Sequence, residues 1–161
     1  MLQTKNITKK SPGVTALEKV CLQIDDGKVT ASMGENGAGK STLMKILSGV
    51  YPDYEGQIIF KDKPVQFNGT AAAQNAGIAI IHQELNLIPY LTITEKICLG
   101  RKLVTAFGLL DKKAMQKKAT ALLHTLSVDV PADTLVAALK VGQQQMVEIA
   151  KALLLDADLI I

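Results

Sequence analysis

The pattern of apolar and polar positions divides the chain into a first part that reads as short strands and a second part that reads as helices. Leu2 to Ile7 alternates weakly and predicts an edge strand, broken by Lys9-Lys10-Ser11-Pro12-Gly13. Val20 to Ile24 predicts a second strand. It runs into Asp25-Asp26-Gly27-Lys28, whose turn chemistry suits a hairpin leading to a third strand, Val29 to Met33. Leu43, Ile46, Leu47 and Val50 then recur at helical spacing until Gly49 and Pro52 stop the helix. Gln57 to Phe60 and Val65 to Phe67 predict two more strands around the turn Lys61-Asp62-Lys63-Pro64.

Thr70 is the expected cap of a short alanine-rich helix ending at Gly77, and Ile78-Ala79-Ile80-Ile81 reads as a strand covered on both faces. From Leu85 the period becomes helical. Thr94 before Glu95 predicts a cap, and Asp111 opens a longer helix carrying Ala114, Met115, Ala119, Leu122, Leu123 and Leu126. Pro131 interrupts the chain, Met146, Ile149, Ala150, Leu153 and Leu154 mark a last helix, and Leu159 to Ile161 reads as an apolar strand. That apolar end predicts exposed strand edges and a tendency to associate.

Between the predicted strand at 29–33 and the helix after it lies Gly34-Glu35-Asn36-Gly37-Ala38-Gly39-Lys40-Ser41, followed by Thr42. Two glycines five apart, then Lys and Ser, form the phosphate-binding loop pattern in its required strand-loop-helix context. Glycine permits positive φ and leaves no Cβ in the way, so successive backbone N–H groups can turn inward around a polyphosphate. The helix N-terminus favours an anion. Lys40 adds a full charge suited to the β- and γ-phosphates, and the Ser41 hydroxyl is suited to the bridging Mg²⁺. An incidental glycine-rich turn is the structural alternative.

Composition is that of a folded α/β domain, with 48% hydrophobic and 20% charged residues, which excludes general disorder. The net charge of +3 comes from scattered lysines with few aromatics for base stacking, so no nucleic-acid partner is expected; Lys112-Lys113 and Lys117-Lys118 read as a solvated helix face. Cys21 and Cys98 lack metal-ligand spacing and read as reduced, buried thiols, which favours a cytoplasmic setting. No apolar run reaches the roughly 18 residues that span a bilayer, so membrane association is expected through a partner.

The phosphate loop at 34–42, then His82-Gln83-Glu84-Leu85 after an apolar run, then Val141-Gly142-Gln143-Gln144-Gln145 opening a helix, resemble in that order the ATP-binding subunit of an ABC transporter. The resemblance covers essentially the whole chain. Ile81 to Pro89 and Gln144 to Leu153 are similar, more narrowly, to the first ATP-binding cassette of the sugar importers. It implies an α/β P-loop NTPase fold with an antiparallel β subdomain, a partial parallel core sheet and a helical subdomain, incomplete at its C-terminal end. The implied division is 1–84 for the β subdomain and nucleotide-binding core, 85–155 for the helical subdomain, and 156–161 for the start of the Walker B strand.

The same resemblance implies roles. Gly34 to Thr42 hold ATP; Ser41 and Gln83 hold Mg²⁺, Gln83 also reaching the water at the γ-phosphate beside the transmembrane subunit. Gln83 read alone is a polar residue ending a strand, and His82 and Glu84 are local context. Lys140, Val141, Gly142 and Gln143 match the signature motif, which binds the ATP of an opposite cassette in a head-to-tail dimer. Lys140 stands where the family usually has Ser, and Ser11 where it usually has an aromatic that stacks on adenine. The Asp and Glu that follow the family's Walker B strand are not in this sequence. The implied function is ATP-driven uptake of ribose or a related sugar, with permease subunits and, indirectly, a sugar-binding protein as partners, at the cytoplasmic face of the inner membrane. Two other readings stand beside it: a truncated, non-catalytic nucleotide-binding fragment, and a non-transport ABC ATPase acting on nucleic acid or the ribosome.

Overall fold

A computed structural model describes residues 1–81, 88–101, 103–104 and 108–161. The chain divides into two compact units, Met1–Ile78 with Ile161, and Ala79–Ile160.

The first unit is built on an antiparallel sheet of β1 (Leu2–Ser11), β2 (Val14–Ile24), β3 (Glu55–Phe60) and β4 (Lys63–Val65), in the order β2-β1-β3-β4. β1 is therefore a central strand and not the expected edge. It pairs with β2 from Leu2↔Ile24 to Ser11↔Val14 and with β3 from Leu2↔Phe60 to Thr8↔Glu55, so Pro12-Gly13 turns a long hairpin instead of ending a strand. The register shifts near Asn6 and Lys19, both at positive φ, and two buried threonines repair the ladder there: Thr4 Oγ1 accepts the Leu22 N–H at 2.8 Å and Thr8 Oγ1 the Lys19 N–H at 3.0 Å. Lys61 and Asp62, both at positive φ, close the two-residue β3–β4 turn; β4 thus begins at Lys63, earlier than expected, and Pro64 sits on the sheet's edge.

Val29 to Met33 is not a strand. A strand exists through its neighbours' N–H and C=O groups, and among the described residues none pairs with this segment; Val29 is 100% and Met33 91% exposed. Asp25 to Lys28 is accordingly a turn that closes no hairpin. The apolar residues Leu159 and Ile160 form β6 (Leu159–Ile160), which pairs with β5 (Ile78–Ala79) in a separate two-stranded sheet.

Helix α1 (Lys40–Leu47) follows the glycine loop and buries Leu43, Ile46 and Leu47, each such side chain contributing about 1.5–3 kcal/mol. Helix α2 (Thr70–Ala76) starts at Thr70 itself, with Gly69 in the cap position expected for Thr70, and ends on left-handed Gly77 as expected.

The second unit is helical. Helices α3 (Ile93–Ile97), α4 (Lys112–Thr125) and α5 (Val141–Leu154) surround Ile93, Ile97, Ala119, Leu123, Val147 and Ala150. Asp111 caps α4 as expected, its carboxylate accepting the Ala114 N–H at 2.9 Å. The cap of α3 is Thr92, not Thr94. Thr92-Ile93-Thr94-Glu95 is a reciprocal capping box, with Thr92 Oγ1 accepting the Glu95 N–H and Glu95 Oε2 the Thr92 N–H, while the Thr94 hydroxyl is buried and donates to the Ala132 carbonyl at 2.8 Å. The cysteines also divide: Cys98 is buried, which raises its pKa, but Cys21 is exposed on β2, where its sulfur accepts the Asn6 N–H.

One buried cation ties β1 to the segment after α1. The Lys9 ammonium, on a side chain 10% exposed, donates to the Asp53 carbonyl at 2.7 Å and to the Asp53 carboxylate, and Lys9 and Lys45 lie 5.5 and 5.6 Å from the Tyr51 ring centre. Hydrogen bonding from Lys9 holds the Asp53 carboxyl below its usual pKa. The unfolded chain then takes up this proton first on acidification, so the contribution is complete above the ordinary carboxylate pKa of about 4 and is lost as pH falls through the lower native value. Thermal melts across this range are expected to show a shallower acid loss of Tm in Asp53→Asn than in the parent chain.

Candidate nucleotide site

The phosphate loop takes its shape from two left-handed glycines, Gly37 at φ +89° and Gly39 at φ +84°. Ala38 N–H returns to the Glu35 carbonyl at 3.2 Å, closing the turn between them. Gly39 is the N-cap of α1, and its carbonyl accepts the Leu43 N–H at 2.9 Å. The N–H groups of Lys40, Ser41 and Thr42 have no partner within α1, as in any first helical turn. They open toward the surface: the loop from Gly34 to Ala38 is exposed, as is Ser41.

Space as well as dihedral angle demands glycine at 39. A Cβ there would lie 2.6 Å from the Ala16 carbonyl oxygen and 2.6 Å from Leu17 Cδ2, both on β2. The loop is seated on the sheet by this contact, and α1 is anchored below it by Leu43, Ile46 and Leu47.

The Lys40 side chain curls over the loop and donates to the carbonyls of Gly34 at 2.6 Å and Glu35 at 2.8 Å. An ammonium has three donors. These contacts hold its charge against the start of the loop, and the helix that the loop opens presents unpartnered N–H groups at its first turn. A cation and a helix N-terminus on one short loop suit a polyphosphate. The turn offers two hydroxyls, of which Ser41 is exposed and Thr42 half-buried, so Ser41 is the more open oxygen ligand for a hard cation; no cluster of three or more His, Cys, Asp or Glu side chains that could hold a metal exists among the described residues.

Gln83, with His82 and Glu84, lies outside the described residues. Lys140 to Gln143 is described, in the second unit, at the start of α5. Lys140 is the N-cap, and a lysine has no acceptor to offer the first turn. Gln143 supplies the other half of a capping box, its Oε1 accepting the Lys140 N–H at 2.9 Å, and Gln144 Nε2 donates to the Leu139 carbonyl at 3.1 Å. Val141 is 63% exposed. Gly142 is not at positive φ, and a Cβ on it would meet nothing within 4 Å. The fold therefore gives no reason for glycine here.

A cavity of about 290 Å³ in the second unit is lined by Leu91, Thr92, Glu95, Leu110, Met115 and others, and none of the predicted site residues among the described residues takes part. Sequence reasoning also missed a buried ion pair, Lys96 with Glu148, 2.8 Å apart. Its signal was available: each charge falls beside the apolar stripe of its helix, Lys96 next to Ile97 and Glu148 next to Val147.

A glycine loop seated on a sheet, opening a helix under a lysine, defines a P-loop nucleotide-binding fold. The comparisons with known proteins narrow it. Residues 17–161 match the ABC transporter family model, and the chain belongs to that family as an ABC ATP-binding protein. It is 48% identical over 161 residues to the ribose import ATP-binding protein of Caldanaerobacter subterraneus subsp. tengcongensis, covering 100% of this chain and 32% of that protein. The chain thus spans about a third of the length of that relative. Among solved structures, a nucleotide-free ATP-binding cassette from an ABC transporter is similar with a TM-score of 0.83 and 28% identity, over 99% of this chain and 66% of that one. A dimeric cassette in a post-hydrolysis state bound to ADP and Pi is similar with a TM-score of 0.78 and 27% identity, over 99% and 72%.

The two glycines predict opposite outcomes in chemical denaturation. Gly39→Ala is expected to destabilise the chain by at least about 1–2 kcal/mol, from the left-handed backbone alone, with the clash against Ala16 added. Gly142→Ala is expected to leave stability unchanged or raise it by up to about 1 kcal/mol, since alanine is the better helix former.

Proposed function

We propose that this chain is the nucleotide-binding part of an ABC-type importer of ribose or a related sugar, the complete protein coupling ATP binding and hydrolysis to uptake. The loop Gly34–Thr42, with the Lys40 ammonium held on the Gly34 and Glu35 carbonyls at the start of α1, carries the nucleotide reading. The sugar rests on the 48% identity to a ribose import ATP-binding protein.

In this reading the N–H groups of Gly37 to Thr42 cradle the phosphates and Lys40 exchanges a loop carbonyl for a β- or γ-phosphate oxygen. Ser41 and Gln83 hold Mg²⁺, whose chemistry when bound is to neutralise charge on those phosphates. Lys140 to Gln143 faces the γ-phosphate of an ATP held by a second cassette, arranged head to tail. Gly142 lets its backbone come close, and the Lys140 ammonium supplies attraction where a hydroxyl would supply a directed hydrogen bond. Residues 1–84 act as β subdomain and nucleotide core, 85–155 as helical subdomain, and 156–161 as the start of the Walker B strand. In this reading permease subunits hold the protein at the cytoplasmic face of the inner membrane and a sugar-binding protein hands sugar to them; no helix among the described residues is long and apolar enough to cross a membrane. Nucleic acid has no part in it.

A second reading, nucleotide binding without turnover, is favoured by Lys140, which stands at the N-cap of α5 and has no hydroxyl to offer a γ-phosphate. Steady-state ATPase activity of the purified chain that disappears in Lys40→Ala would overturn it. The leading assignment is tested by ATP titration with Mg²⁺ in a calorimeter. Lys40→Ala is expected to weaken binding by about 1.5–3 kcal/mol, on the order of 10- to 100-fold; unchanged affinity sinks the phosphate-loop assignment.

A further inference from the structure

The ion pair between α3 and α5 has no part in the nucleotide chemistry and lies inside an otherwise apolar contact. The Lys96 side chain is 4% exposed and that of Glu148 19%, with Nζ 2.8 Å from Oε1. Around them Ile93, Ile97 and Val147 are each at most 1% exposed. Burial of two charges is costly, and a matched pair of apolar residues of similar size commonly stabilises as well or better. Stability therefore does not explain the pair.

Register does. The contact of Ile93 and Ile97 with the α5 side chains is non-directional, and apolar helix faces tolerate sliding and rotation. A charge pair does not: displacing α5 by one residue turns Glu148 through about 100° and takes its buried carboxylate oxygen away from the ammonium that compensates it. Glu148 Oε1 is buried with no hydrogen bond among the described residues, so it is the Lys96 charge that compensates it. Helix α3 is a fixed reference despite its five residues. Its capping box, the Ile93 N–H to the Thr134 carbonyl at 3.0 Å and the Thr94 N–H to the Ala132 carbonyl at 2.9 Å hold its N-terminal end.

We infer that Lys96 and Glu148 are positioning residues whose buried ion pair sets the register of α5 against α3, and so fixes where the exposed turn Lys140–Gln143 is presented. Glu148 lies eight residues along the same helix from Lys140, about 12 Å at 1.5 Å per residue, and a continuous helix carries the placement rigidly over that length. The functional weight of this placement rests on the reading that the turn faces nucleotide; the register itself does not.

The test is amide hydrogen exchange of the 161-residue chain without nucleotide, with the thermal midpoint measured in parallel. In Lys96→Met/Glu148→Leu the midpoint is expected to stay at or above that of the parent chain, while the amides of Gln144 to Val147 exchange at least about tenfold faster as α5 samples neighbouring registers. Lys96→Gln/Glu148→Gln, which keeps size and polarity, is expected to behave the same way and serves if the apolar pair does not fold. Unchanged exchange in either neutral pair overturns the proposal. So does loss of cooperative folding in both, which would make the pair a stability element. Because no nucleotide is present, failure of the Lys40 titration leaves this result untouched, and the reverse holds as well.

Discussion

The close approach of Gly39 to β2 is the constraint on which the nucleotide site depends. With the Ala16 carbonyl and Leu17 where a Cβ would stand, the chain enters α1 with its first turn pressed onto the sheet. That seat decides where the N–H groups of Lys40, Ser41 and Thr42 point. The apolar anchors Leu43, Ile46 and Leu47 fix the far end of the helix, and Lys9, Asp53, Tyr51 and Lys45 tie down the segment that follows it. The loop itself stays exposed and makes few contacts of its own. Its geometry is held by its neighbours, as befits a surface that must leave its backbone donors open to a ligand.

The second unit treats its exposed turn differently. Alpha-helix α5 begins with a residue that cannot cap it and a glycine that its surroundings do not require, both of which weaken the start of a helix. Gln143 and Gln144 recover part of the loss by bonding backward to Lys140 and Leu139. Local rules of stability are thus broken at one turn and partly repaired beside it. The ion pair beneath belongs to the same economy of specificity over stability.

Much of this was legible in the residues. The glycine spacing, Lys40 and Ser41 announced the phosphate loop because each residue type there is chosen by a local requirement: positive φ, no Cβ, a charge, a hydroxyl. Asp111 capping α4 and Gly77 ending α2 were equally readable, being set by the backbone of a single turn. The errors were of another kind. Val29 to Met33 has the composition of a buried strand but no partner among the described residues, β1 looked like an edge and lies between two strands, and Cys21 was placed inside when it faces out. Thr94 lost the cap to Thr92 because the box needs its Glu three residues on, and the Ala132 carbonyl claimed the other hydroxyl.

By itself, then, the sequence determined the chemistry of the loop, the start of α4 at Asp111 and the end of α2 at Gly77, since each depends on residues within a few positions of each other, and the order of its motifs determined the family to which the chain belongs. Only the tertiary structure decided which strands pair, that Gly39 is required by its contact with Ala16 and Leu17 as well as by its dihedral angle, that the packing around Gly142 does not require glycine, and that Lys96 meets Glu148. The physical reason is range. Capping and backbone conformation are settled by neighbours along the chain, whereas sheet pairing, burial and buried charge compensation are settled by residues that meet only after folding.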